Sequence, residues 1–155
     1  MKNIIGLDAK QAEVLVQQLN ELLASFQVHY QSLRGFHWNI RGAKFFELHA
    51  KFEEYYNDAL LKTDEIAERI LTLGGKPIHT YAEFLKYSFI LENGYVCTEK
   101  ESVEIVLQHL SLLLQREREL SKIAAEASDE GTVALMSDYI KLQEKDTWML
   151  NAWLA

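Results

Sequence analysis

Apolar residues recur along this chain at steps of three and four, the period of a helix with one buried face. The first such stripe runs through Leu15, Leu19, Leu22, Phe26, Leu33 and His37. Asp8-Ala9-Lys10-Gln11 precedes it with the form of a capping box, so the spacing predicts a helix from about residue 8 to the Arg41-Gly42 break. A second stripe follows through Phe45, His49, Phe52, Tyr56, Ala59, Thr63, Ile66 and Ile70. It stops at Leu73-Gly74-Gly75-Lys76-Pro77, where glycine closes a helix and proline prevents its resumption. Residues 78 to 97 are aromatic and less periodic, with Thr80-Tyr81-Ala82-Glu83 placed to cap one small helix. Thr98-Glu99-Lys100-Glu101 has the form of another capping box and opens a stripe through Val103, Val106, Leu110, Leu113, Leu120 and Ala124. After a break at Ser128-Asp129-Glu130-Gly131, a last stripe carries Leu135, Tyr139, Leu142, Met149 and Trp153 to the end. Four long helices with a long crossover in the middle, itself carrying a short helix, predict an all-α bundle of the ferritin-like type.

Composition narrows this picture without changing it. The chain has 155 residues, 48% of them hydrophobic, which suits a single domain spanning 1–155 with a sizeable core. Seven Gly and one Pro over that length favour long helices over many strands and turns. The lone Cys97 has no internal disulfide partner, so a reducing cytoplasm is expected. Neither a signal peptide nor a membrane span is predicted. A net charge of −7 disfavours a large nucleic-acid footprint and suits a surface that attracts cations.

The chemistry concentrates on the first two helices. His37 and His49 lie twelve residues apart across a short turn, and Asp64 and Glu68 follow on the second stripe, sharing a helix face. Imidazole nitrogens and carboxylate oxygens together suit iron. On one helix the fifteen residues from His49 to Asp64 span about 22 Å, whereas a metal–ligand bond is about 2 Å long. Either the grouping is accidental, or a second copy of the chain supplies the other half. An antiparallel two-fold contact between second helices would bring one chain's histidines to the other's carboxylates, making two sites per pair. Glu53, one turn after His49, is placed to add an oxygen. No His lies three residues after a Glu, so no site inside the bundle is expected. His29, His79 and His109 read as structural, and Glu117 and Asp146 as buried acids partnered by bases such as Arg116 or Arg118. Taken singly, a histidine at a helix end is structural, Asp64 with Glu68 is a solvated face, and Trp38 is a core or interface aromatic.

The run His37-Trp38-Asn39-Ile40-x-Gly42, then Phe46, Leu48-His49, Phe52-Glu53, Tyr56 and Asp64-Glu65-Ile66-Ala67-Glu68-Arg69-Ile70 with Gly74-Gly75, resembles the Dps family of mini-ferritins. The helices agree in length and order, so the resemblance spans essentially the whole chain. It implies a twelve-subunit hollow shell that oxidises Fe²⁺, preferentially with hydrogen peroxide, and stores ferric iron, protecting the cell from oxidative stress. The implied sites are one or two irons at two-fold interfaces, with His37, His49 and Glu53 from one subunit and Asp64 and Glu68 from its neighbour. Trp38 would take up oxidising equivalents beside the site. The resemblance further implies an iron-entry pore at a three-fold axis, lined from Asp129 and Glu130; the other reading of that segment is a helix cap. Two features depart from the pattern. Many members have Asp where this chain has Glu53. Members that coat DNA carry a basic tail, whereas residues 1 to 10 offer only Lys2 and Lys10 against Asp8, and everything after Trp148 is uncharged. A structural, DNA-binding nucleoid protein is the alternative function, opposed by that electrostatics, and a metal-free helical scaffold is a third.

Overall fold

In a computed structural model describing residues 1–155, the chain is entirely helical. The elements are α1 (Ala9–Asn39), α2 (Phe45–Thr72), α3 (Tyr81–Tyr87), α4 (Glu99–Glu126) and α5 (Glu130–Leu154). Helix α1 packs on α2 and α4 on α5, and the crossover between the two hairpins lays α3 against α1. The first three predicted stripes form buried faces. On α5 the predicted stripe buries only Tyr139: the inward face is Thr132, Met136, Tyr139, Gln143, Asp146 and Leu150, because polar side chains of a buried layer share it with the apolar ones. Leu15, Leu19, Leu22, Leu33, Phe52, Ile66, Ile70, Leu113, Leu120 and Met136 are wholly enclosed. Phe36 and Phe52 meet there with ring centroids 5.7 Å apart. Truncating Phe52 to Ala would cost about 3–5 kcal/mol in lost burial and cavity.

The caps explain where the helices begin. Asp8 accepts from the Lys10 and Gln11 amides, and Thr80 with Glu83 forms a complete capping box at α3. Thr98 departs from expectation: its hydroxyl donates to Glu101 at 3.3 Å, and its side chain caps no amide of α4. The preceding segment is held differently. Glu99 reaches back to accept from the Lys44 amide at the head of α2, and the Arg41 amide donates to the Cys97 carbonyl at 3.0 Å. The α1–α2 turn is therefore tied to the head of α4. Gly42 sits in this turn at φ 134, and a Cβ there would lie 2.6 Å from the Glu99 carboxyl carbon.

A polar layer crosses the middle of the bundle. His29 and His109 face each other with Nδ1 atoms 3.0 Å apart, and His109 Nε2 meets the Asn93 side-chain oxygen at 2.9 Å. Asn93 supplies an acceptor, so His109 Nε2 carries the proton and its Nδ1 accepts from His29. Gln143 donates to Glu117 at 2.7 Å. The buried base of this layer is Lys62, bonded to Asp58 and lying 5.2 Å over the Tyr139 ring. The arginines expected beside Glu117 and Asp146 go elsewhere, Arg116 to Glu21 and Glu119, Arg118 to Glu144. Their long side chains reach solvent-side acids, while Lys62 points inward.

Candidate metal centre

The C-terminal end of α1 and the first turn of α2 place two imidazoles face to face. The rings of His37 and His49 stack at 3.7 Å between centroids, 13° from parallel. His37 Nδ1 donates to the His49 carbonyl at 2.6 Å, and His49 Nδ1 donates to the His37 carbonyl at 2.7 Å. The His37 carbonyl is free for this because it lies in the last turn of α1, and the Arg41 amide that would continue the ladder bonds to Cys97 instead. A carbonyl oxygen can only accept, so each Nδ1 carries a proton, and Nε2 is the nitrogen whose lone pair is left for a metal. Second-layer bonding that fixes the tautomer and aims the other nitrogen outward is what metal-ligating histidines require. Phe45 stacks on the outer face of His49 at 4.9 Å, and Tyr56 meets His37 edge-on at 5.4 Å.

Glu53, one turn along α2, is exposed and accepts from the Tyr56 hydroxyl at 3.3 Å. Asp64 and Glu68 are exposed further along the same unbroken helix, and neither carboxylate is engaged in an ion pair or hydrogen bond. Arg69 does not partner them; it crosses to Asp129. Helix α2 is continuous from Phe45 to Thr72, so the His49–Asp64 separation stays at about 22 Å. Nowhere in one chain do three His, Cys, Asp or Glu side chains converge on a common point. The donor set suits an iron ion by chemistry, and in one subunit it is split into two halves at opposite ends of one face.

Between the halves two leucines face outward among polar neighbours. Leu60 and Leu61 on α2 are 50% and 59% exposed. Beside α1 lies a groove of about 800 Å³ whose walls include Tyr30, Arg34, Trp38, Leu85 and Tyr95. Trp38 is 57% exposed there, with the Arg34 guanidinium 4.7 Å over its ring. It touches neither histidine ring.

Asp129 takes the capping role. It is buried at the head of α5, accepts from the Thr132 amide at 3.0 Å, and is held by the Arg69 guanidinium, whose Nε also donates to Thr132 at 2.9 Å. Its carboxylate is spent inside the subunit, which leaves Glu130 as the exposed acid of that turn. The residues that spacing did not bring forward are those that orient the centre: Phe45, Glu99 and Tyr56 with its neighbour Tyr30. Glu99 carried no signal, since its contact is with a loop 55 positions away. Lys62 did carry one, as a charge in step with Ala59 and Ile66 on a buried face.

Residues 16–155 match the ferritin-like domain family. A relative named "DNA protection during starvation protein" in Porphyromonas gingivalis is 44% identical, covering 99% of this chain and 98% of that protein. An uncharacterized protein of Haemophilus influenzae is 51% identical over 97% of this chain and 94% of its own length. The crystal structure of a Dps protein from Vibrio cholerae O1, described as a member of a broad superfamily of ferritin-like diiron-carboxylate proteins, superposes with a TM-score of 0.98. It is 51% identical, and the match covers 99% of this chain and 97% of that one. A Dps protein from Bacillus brevis superposes at 0.93 with 35% identity over the full length of both chains. With this fold, this helix order and these relatives, the chain belongs to the Dps family of ferritin-like proteins.

Proposed function

We propose that this protein is a ferroxidase that oxidises Fe²⁺ with hydrogen peroxide at sites shared between subunits and stores the ferric product in a twelve-subunit shell in the cytoplasm. The observation that carries this reading is the split donor set on one straight helix. A two-fold axis passing beside residues 56 and 57 sets His49 of one chain against Asp64 of the partner subunit, with the exposed Leu60 and Leu61 between the two sites. His37 and His49 would bind Fe²⁺ through Nε2, and Glu53 and the partner's Asp64 and Glu68 through oxygen. Carboxylates are harder donors than imidazole and gain most as charge rises to Fe³⁺. Two Fe²⁺ supply the two electrons that reduce hydrogen peroxide to water, so no hydroxyl radical need leave. Trp38, beside the centre, is a sink for stray oxidising equivalents.

The test uses complementation between subunits. His37→Ala and Asp64→Ala shells are each expected to lose peroxide-driven iron oxidation. Co-assembled, a mixed two-fold pair rebuilds one intact site, from the histidines of the Asp64→Ala chain and the carboxylates of the His37→Ala chain. Recovery of part of the rate is the expected result. Mixed shells as inactive as their parents would defeat the shared site, and a double variant as fast as the wild type would defeat the centre altogether. A main role in coating DNA is disfavoured by the charge of −7 per chain, which a shell multiplies. Protection of DNA would instead follow from removing iron and peroxide together.

A further inference from the structure

We propose that Lys62 is the resident cation of a metal-type site in the middle of the bundle, its ammonium standing among Asp58, Asp146 and Gln143 where a divalent ion would otherwise bind. Ferritin-like bundles that hold metal inside draw inward-facing ligands from all four helices. This chain lacks the Glu-x-x-His pairs of such a site, yet its buried polar layer has the same plan. Asp58 and Lys62 come from α2, Glu117 from α4, Gln143 and Asp146 from α5, and His29 from α1.

Lys62 is 3% exposed, its ammonium bonds to Asp58, and it lies 5.2 Å over the Tyr139 ring. Its charge reaches the other helices. Burial raises the Asp146 carboxyl to about 6, and the Lys62 charge draws it back. The same charge opposes the burial that raises Glu117. Beside the ammonium is a cavity of about 10 Å³ lined by Tyr55, Asp58, Lys62, Gln143 and Asp146, which is the room of about one water. Gln143 is 2% exposed and its amide nitrogen donates to Glu117, while its Oε1, an acceptor, has no hydrogen-bond partner. Two carboxylates and an amide oxygen are thus gathered around one buried positive charge, and hard oxygens of this kind also take divalent ions. The charges agree. As carboxylates, Asp58 and Asp146 carry two negative charges; the ammonium offsets one, and a divalent ion would offset both. Because the ammonium is fixed to α2 and enclosed by the packed helices, an ion entering from solvent must break a buried ion pair to take its place. Lys62 thereby closes the bundle interior to metal. That this leaves iron to the split donors on the outer face of α2 rests on the ferroxidase reading; the cation site itself does not.

The experiment titrates Co²⁺ into assembled shells that carry His37→Ala and Asp64→Ala, which removes the interface donors, with and without Lys62→Ala. Visible absorption and calorimetry count the bound ions. The Lys62→Ala shells are expected to take up one further Co²⁺ per chain and to melt at a higher temperature when it is added, and the Lys62-containing parent to do neither. Adding Asp58→Asn to Lys62→Ala should remove the extra ion. No extra ion in shells that sizing and circular dichroism show to be folded overturns the proposal, as does an extra ion indifferent to Asp58→Asn. If Lys62→Ala does not fold alone, refolding in Co²⁺ should recover the helical signal, because metal binding then supplies folding free energy; no recovery overturns the proposal as well. Oxidation of Fe²⁺ by peroxide in wild-type shells, measured separately, decides the ferroxidase reading and leaves the Co²⁺ count untouched.

Discussion

Arg69 shows how one side chain settles the role of another. Its guanidinium lies against Gly131 in the first turn of α5, where an added Cβ would come 2.8 Å from Nη1. Gly131→Ala must push the guanidinium off Asp129 and Thr132, leaving a buried carboxylate short of a partner. A loss of about 1–3 kcal/mol is expected, read as a lower melting temperature. Glu117 works by a different physics. Burial pushes its carboxyl up to about 8, against the opposing pull of the Gln143 hydrogen bond and the Lys62 and Arg118 charges. Its Oε2 has no hydrogen-bond partner, so a charge there would be unsolvated. Between 4.5 and about 8 the folded protein holds a proton that the unfolded chain has released. This contribution to stability is complete below 4.5 and is lost as pH rises toward 8. His29 and His109 run the opposite way. Burial holds both below 6.5, His109 at about 4, so their contribution is present above 6.5 and lost as pH falls. Asp146, raised by burial to about 6, adds to the Glu117 side only below that pH. From pH 6.5 to 8, Glu117 therefore stands alone in this layer. Glu117→Gln, which imitates the protonated acid, is expected to widen its stability margin over the wild type between pH 6 and pH 8. The limiting gain is about 2 kcal/mol, from ~1.4 kcal/mol per pH unit. Melting curves that stay parallel across that range would reject the assignment.

At the scale of elements, the helices were legible because each buries one face against its neighbours, and burial writes a period into the sequence. Leu15 to Leu33 and Val103 to Leu120 stand in the core where their spacing put them. The split donor set was legible for a related reason. Helical rise turns residue spacing into distance, and α2 runs unbroken through His49 and Asp64. Contacts made by loops and by long flexible side chains left no such trace. Arg116 and Arg118 stood beside Glu117 in sequence yet reach acids at the surface, while Lys62, from another helix, lies in the polar layer. The stacking of His37 on His49 depends on the turn at 40–44, and that turn depends on Glu99 arriving from the far side of the crossover. This tie is open to test. Glu99→Ala should free the Lys44 amide, loosen the histidine pair and weaken Fe²⁺ binding measured by calorimetry, with helical content unchanged. Glu99→Gln keeps an oxygen acceptor for that amide and should restore most of the binding. Equal binding by both variants would mean that the turn holds itself.

The proposed shell would have to admit iron, and at this scale the charge pattern becomes a matter of traffic. Each chain carries −7, so the twelve copies of the proposed shell would surround themselves with cations, and clefts lined by one sign of charge focus that field. Rings of carboxylates at a narrow opening attract and partly dehydrate divalent ions, as in cation channels. At the head of α5, Asp129 is sealed against Arg69 and Thr132, whereas Glu130 is exposed one residue on, with Asp138 exposed two turns further along the helix. Three symmetry copies of Glu130 about a three-fold axis would line an entrance, and the two neighbouring acids should separate in function. Glu130→Gln is expected to slow the initial uptake of Fe²⁺ while leaving the melting temperature and shell size unchanged. Because steering is screened once the Debye length shrinks to about 8 Å at physiological salt, the defect should be largest in dilute buffer and fade as salt is added. Asp129→Asn should do the reverse, costing about 1–3 kcal/mol of stability through the broken Arg69 pair and cap, read as a lower melting temperature, with uptake by surviving shells close to normal. Uptake unaffected by Glu130→Gln at low ionic strength would move the entrance elsewhere on the shell.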